Sequence, residues 1–149
     1  MFAPGQIPEG GAVRLANSAA IMGIATGIET SLAAMLLFKM PVWATLNDAL
    51  LVKWIPPDTV RNITIFGDND VKFGGAMAAF GLAHKLACDK RYAFIEQIDV
   101  RIPDHIGQDF NDVLREDNGL PPLAALKEEA DERGTDDAGG EFAGLGDRL

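Results

Sequence analysis

Cysteine is nearly missing from this chain, with Cys88 the single example among 149 residues. One thiol excludes an internal disulfide and a cysteine-based zinc site, so a reducing cytoplasm is the expected compartment. Cys88 itself reads as a small, buried helix residue. No apolar run is long enough to cross a bilayer. The most apolar region, Ile21 to Leu46, is interrupted by Glu29, Lys39 and Pro41, and the run from Ala33 to Phe38 is far too short to span. Met1 to Gly11 contains Pro and Gly and has no basic cluster ahead of an apolar run, so neither a signal peptide nor a membrane partner is expected. Basic residues are the third scarcity, since 13 Lys and Arg face 22 Asp and Glu and leave a net charge of -9. Phosphate neutralisation needs Lys and Arg, so this balance argues against strong, nonspecific nucleic-acid binding by the chain alone.

What is present suits one folded unit. A hydrophobic content of 48% is enough to fill a single core at this length. The charge is unevenly placed: eight acidic and three basic residues lie from Lys127 to Leu149, so five of the nine net negative charges sit there. That stretch is rich in Gly and charge and poor in large apolar residues, and a mobile tail is expected because burial cannot offset its ordering entropy.

Hydrophobic periodicity gives the order of elements. Ala12 to Leu15 reads as a short strand and Ile21 to Ala25 as a buried strand entering a turn at Gly27. Ile28 to Phe38 reads as helix, with Ile28, Leu32, Met35 and Leu36 on one face and Glu29 at the positive end of the dipole. Val42 to Leu46 is a second strand, and Asn47 to Ile55 a short helix closed by Pro56 and Pro57. Ile63 to Phe66 is the clearest strand, ended by Gly67. Lys72 to Cys88 should be helical, with Phe73, Met77, Phe80 and His84 spaced by three or four and Ala76, Ala79, Ala83 and Ala87 forming a narrow packing face. Tyr92 to Ile102 supplies a further strand, Pro103 to Gly107 a loop, and Asp109 to Arg115 a short helix or turn. Trp43 and Trp54 read as core aromatics, because no basic residues interleave with them as stacking platforms require.

Strands alternating with helices imply an α/β fold, a mostly parallel sheet of about four strands with helices on both faces. Ligands in such sheets collect beyond the carboxyl ends of the strands. Thr26, Asp68, Asp70 and the loop from Pro103 to Asp112 all follow strands, so the topology is expected to gather them at one edge. Asp68 and Asp70, separated by Asn69, repel each other unless a cation or proton intervenes. Oxygen ligands of this kind suit a hard divalent ion such as Mg²⁺. Asp109, Asn111 and Asp112 form a second acidic set. Each signal is weak alone: Asp-x-Asp is common in turns, and Asp109 or Asn111 also suits a helix cap. Lys72 beside the aspartate loop is a candidate phosphate contact, although a solvated first-turn lysine accounts for it better.

The ordered segments GGAVRL, IATGIETSLAA, PVWATL, ITIFGDND and IPDHIGQDFNDVL, covering Gly10 to Leu114, resemble the Toprim domains of phage and plasmid DNA primases. The resemblance implies a Rossmann-like Toprim fold over residues 1–119, of which 1–11 form a flexible N-terminus, followed by an acidic, mobile tail over 120–149. It implies Mg²⁺ or Mn²⁺ held by Asp68, Asp70, Asp109 and Asp112, with Gly27 as the turn glycine and Glu29, Asn69 and Asn111 in support. It also implies nucleotidyl transfer on nucleotides or DNA during replication. Two positions depart from the pattern. Thr26 stands where the family carries its first glutamate, the general acid or base of phosphoryl transfer, and Gln108 stands where it carries a lysine. A threonine hydroxyl does not exchange a proton readily near neutral pH, so impaired catalysis is expected. The zinc-binding and helicase parts of such primases are missing from the sequence, which implies a fragment or a chain working with companion primase or helicase proteins.

A second class of function, a noncatalytic adaptor or regulatory protein built on the same scaffold, fits Thr26 and the acidic balance. A receiver-like phosphoacceptor role for Asp68 or Asp70 fits less well, because such modules carry an acidic pair after their first strand, where this chain has Thr26 and Gly27.

Overall fold

The computed structural model describes residues 8–136. The first part of the expected flexible N-terminus and the last part of the expected tail lie outside the described residues. Along the chain run β1 (Ile21–Ala25), α1 (Ile28–Phe38), β2 (Val42–Ala44), α2 (Asp48–Lys53), β3 (Asn62–Phe66), α3 (Gly74–Cys88), β4 (Gln97–Arg101), α4 (Phe110–Asp117) and α5 (Leu123–Asp136). The four strands form one parallel sheet in the order β2-β1-β3-β4, the α/β architecture expected from the alternating pattern. Among the described residues, no helix is long and apolar enough to cross a membrane.

Two-residue alternation along the strands sends side chains to two separate cores. Met22, Ile24, Trp43, Ile63 and Ile65 pack against Leu51 and Trp54 near α2 and against Ala78, Ala79, Leu82 and Leu86 of α3. On the opposite face, Ala25, Val42 and Phe66 pack against Ala34 of α1 and Phe110 of α4. Phe38, Phe66 and Phe110 meet there with ring centroids 5.0–5.7 Å apart. Both tryptophans lie in the core as expected, and the buried indole of Trp43 donates to the Ala16 carbonyl at 2.8 Å. The chain leaves β1 toward β2 on one side and leaves β3 toward β4 on the other. Neighbouring strands whose connections diverge create a crevice at their carboxyl ends, here between Thr26 and Asp68.

Local chemistry explains the helix limits. Asn47 caps α2 by accepting from the Leu50 amide at 2.9 Å. At the end of α1, Lys39 turns left-handed at φ 53° and its amide returns to the Met35 carbonyl, with Pro41 preventing continuation.

Which helix faces are buried differs from the periodicity reading. In α1 the buried residues are Thr30, Ser31, Ala33 and Ala34, while Ile28, Leu32 and Leu36 are exposed. Small residues let the helix approach the sheet closely, and the Ser31 hydroxyl is satisfied by the carbonyls of Gly27 at 2.8 Å and Trp43 at 3.1 Å. In α3 the packing face is Gly75, Ala78, Ala79, Leu82 and Leu86. Phe73, Met77 and Phe80 are 70%, 74% and 58% exposed, so that row points outward. Cys88 is exposed at the end of α3, not buried.

Three segments also depart from the expected elements. Ala12 to Leu15 contributes only an isolated antiparallel bridge, Val13 to Ala44. Tyr92 belongs to a 3-10 turn, Lys90–Tyr92, and its buried ring joins the core ahead of β4. Leu123–Asp136, which includes the beginning of the acidic stretch, is helical. Its Leu, Ala, Lys and Glu residues are strong helix formers despite offering little apolar surface.

Candidate functional site

The site grows from the end of β3. Immediately after Phe66, the Gly67 amide donates to the Arg101 carbonyl at 3.0 Å, extending the pairing with β4 by one residue. The Asp68-Asn69-Asp70 loop is then tied to the loop that follows β4. Asn69 donates from its backbone to Gln108 at 3.0 Å and from its side-chain amide to Pro103 at 2.8 Å, while the Gly107 amide donates back to the Asn69 carbonyl. Asn69 is thus a structural tie between the two acidic loops.

Behind Asp68 lies the first turn of α3. A Cβ on Gly75 would stand 2.7 Å from the Asp68 carbonyl oxygen and 2.9 Å from its amide nitrogen, so only glycine permits this approach. Gly75→Ala is expected to destabilise the fold by about 2 kcal/mol, because overpacking against fixed backbone outweighs alanine's better helix propensity. Urea unfolding checks this; a neutral or stabilising effect would contradict the close packing.

Asp68 and Asp70 have opposite environments. Asp68 Oδ1 is buried and has no hydrogen-bond partner. Burial, and then the charges of Asp109, Asp48, Asp70 and Asp112, push its carboxyl up from 3.8 to about 6. Asp70 instead accepts from the amides of Gly75 at 2.8 Å and Gly74 at 2.9 Å, which hold its carboxyl below the usual range. It also opens a tight turn, closed by the Phe73 amide donating to the Asp70 carbonyl at 3.0 Å, in which Phe73 takes a left-handed φ of 61° before α3 begins.

The second acidic set forms a capping box at the start of α4. Asp109 accepts from the Asp112 amide at 2.9 Å, and Asp112 accepts in return from the Asp109 amide at 3.3 Å. The other Asp112 oxygen accepts from Leu123 at 3.2 Å, at the first residue of α5. Both oxygens of Asp112 therefore already serve backbone amides, whereas Asp109 keeps one carboxylate oxygen outside the capping box.

Thr26, Gly27, Glu29, Leu46, Asp68 and Asp109 line a cleft of about 410 Å³ at the carboxyl ends of β1 and β3. A smaller cleft of about 210 Å³ is lined by Asp68, Asn69, Asp70, Gly107, Gln108 and Asp109. Asp68 and Asp109 belong to both, so the fold joins the acidic loops that the sequence places some forty residues apart. Asp112 stands one helical turn behind, and Asn111 is half-buried on α4. Lys72 is exposed and lines neither cleft. Gln108 reaches Glu116 at 3.1 Å. Of the other basic residues, Arg91 pairs with Asp89, Lys85 donates to the Trp54 carbonyl, Arg61 lies over Phe94 and Arg101 over Phe38.

The sequence reading missed Asp48, at the first position of α2. Its charge contributes to the raised carboxyl of Asp68, and its Oδ2 faces the same Gly74 as Asp70. The signal was available: Asp48 follows β2 closely, and the strand-end rule that selects Asp68 selects it as well.

Among the described residues, no three His, Cys, Asp or Glu side chains stand close enough together to hold a metal ion as they are. The donors nevertheless fit a hard divalent cation. The buried, unpartnered Asp68 oxygen is an acceptor without a donor, and the groups around it are carboxylates whose mutual repulsion a cation relieves.

A family model described as a Toprim domain matches residues 21–118, well over half of the 149-residue chain. No curated protein and no solved structure gives a significant match.

Proposed function

The chain belongs to the Toprim domain family, and from that premise we propose that it is a primase-like Toprim domain of the phage and plasmid type, with impaired Mg²⁺-dependent phosphoryl transfer on nucleotides or DNA. Family membership supports a metal-dependent role directed at nucleic acid. The observation that carries the proposal is the shared cleft, in which Asp68 and Asp109 from different strand ends meet beside Thr26. A bound Mg²⁺ or Mn²⁺ supplies Lewis acidity and charge neutralisation for phosphoryl oxygens. Asp68 and Asp70 are the residues that would hold it, with Asp109 directly supporting them and Asp112 fixing Asp109. Gly27 shapes the turn into α1, and Glu29 lines the cleft one helical turn beyond Thr26. Lys72, exposed beside the aspartate loop, is available to a phosphate at its rim.

Metal titration tests this reading. Calorimetry with Mn²⁺ should give a saturable isotherm for the native chain and at least about tenfold weaker binding for an Asp68→Ala, Asp70→Ala double variant. Indistinguishable isotherms would remove the site.

The outward row of Phe73, Met77 and Phe80 favours a second reading, a noncatalytic adaptor working with companion primase or helicase proteins. A primer-synthesis assay separates the two, since weak but metal-dependent activity in the unmodified chain excludes the adaptor.

A further inference from the structure

We propose that the outward row of α3 pairs two copies of this chain, α3 against α3 in antiparallel order about a two-fold axis. The row lines neither acidic cleft, so such a pair keeps both sites open.

Exposure along α3 and its cap falls on Phe73, Met77, Phe80, His84 and Ala87, a succession of four-residue and three-residue steps. Steps of that size set one seam of side chains against a neighbouring helix. A solvated helix face instead carries charged and polar residues, and from Phe73 to His84 there is no Asp, Glu, Lys or Arg. The positions flanking the seam are Gly74, Ala76, Gly81 and Ala83, all small and half-buried, so a second helix can approach closely. Phe73, Met77 and Phe80 together expose roughly 400 Å², the size of a dominant apolar patch on a monomer and about half of what one partner contributes to a standard interface. Exposed Val71 precedes the row and exposed Val52 of α2 flanks it at Gly81, which extends the apolar area.

Charge selects the partner and its direction. With a net charge of -9 on each chain, two copies attract only in an arrangement that keeps their acidic groups apart. At the start of α3 stand Asp48, Asp68 and Asp70, with Lys72 beside them. At its end stand Lys85, Lys90 and Arg91, with Asp89 beside them. Parallel pairing would bring the two acidic ends together. Antiparallel pairing separates them by the length of a 15-residue helix, about 22 Å, and sets each acidic end near the partner's basic end. In that order the seam is self-complementary, as a two-fold contact requires: Met77 faces the partner's Phe80, and Phe73 faces the partner's His84. A companion protein of another sequence needs none of this symmetry.

Sedimentation equilibrium of the full chain at concentrations up to about 200 μM tests the pairing, and the native chain should pass from monomer to dimer within that range. Met77→Lys and Phe80→Glu should each weaken association at least about tenfold, because each places a charge at the centre of the seam. Both positions are exposed, so at low concentration either variant should melt with the native monomer. An equimolar mixture of the two variants should dimerise again, since in antiparallel order the new lysine of one chain meets the new glutamate of the other. A native chain that stays monomeric throughout would overturn the proposal and leave the row to a companion protein. Dimers unaffected by either variant would overturn it by placing the contact elsewhere, and a mixture that stays monomeric would overturn the antiparallel register.

Discussion

Thr26→Glu is expected to raise primer synthesis or nucleotidyl transfer by about two to four orders of magnitude over the native chain, the range attributed to one positioned acid or base. Position 26 follows β1 directly and lines the cleft with Asp68 and Asp109, so a carboxylate introduced there enters the same cleft as the acidic pair. Threonine offers only a hydroxyl that stays protonated throughout the physiological range. The cleft surrounding Thr26 has room for a longer side chain, with Gly27 beside it and Ile28 and Glu29 exposed at the start of α1. The same substitution adds a negative charge to an already repulsive cluster, so the metal-free variant should be less stable than the native protein and regain stability when Mg²⁺ is added. The assay therefore has two readouts, rate and metal-dependent melting. Native activity equal to that of Thr26→Glu would refute impairment, and a variant that binds metal yet stays inactive would favour the adaptor.

Much of this arrangement was legible before any coordinates. Ile21–Ala25 and Ile28–Phe38 have the limits expected from the pattern, because a compact apolar run bounded by Gly27 admits few alternatives. Parallel topology then carries Thr26, Asp68 and the loop after β4 to one edge, and they meet there. The hydrogen bonds through Asn69 were not legible, since they join loops far apart in sequence.

Burial was legible less well, for a physical reason. Hydrophobic spacing assumes that the largest apolar residues face the core, but α1 and α3 approach the sheet through Ser31, Ala34, Gly75 and Ala79. A close approach selects side-chain size over hydrophobicity, which turned Leu32, Leu36, Phe73 and Met77 outward. The same close approach buries Asp68 beneath Gly75 and gives two nearby aspartates opposite proton affinities. Asp-x-Asp spacing alone does not distinguish them.

Asp68→Asn should therefore stabilise the metal-free protein while removing its response to metal. The Asp68 carboxyl is raised from 3.8 to about 6, so the folded state holds this proton more tightly than the unfolded chain does. Ionisation consequently costs nothing below about pH 4, becomes progressively unfavourable to folding from there to about pH 6, and exerts its full cost above that. A shift of this size corresponds to about 3 kcal/mol, and solvent screening of the partly exposed group reduces it to about 1–2 kcal/mol. In EDTA at pH 7.5, Asp68→Asn should be more stable than the native chain by that amount, and the difference should disappear near pH 4. Saturating Mg²⁺ should reverse the order, because ligand at about one hundred times its dissociation constant adds about 2.7 kcal/mol to the protein that binds it. Urea unfolding at both pH values, with and without Mg²⁺, measures all four differences. Equal stabilisation of both proteins by Mg²⁺ would remove Asp68 from the metal centre. A variant less stable than native in EDTA at pH 7.5 would show that ionised Asp68 is not the strained group its buried, unpartnered oxygen implies.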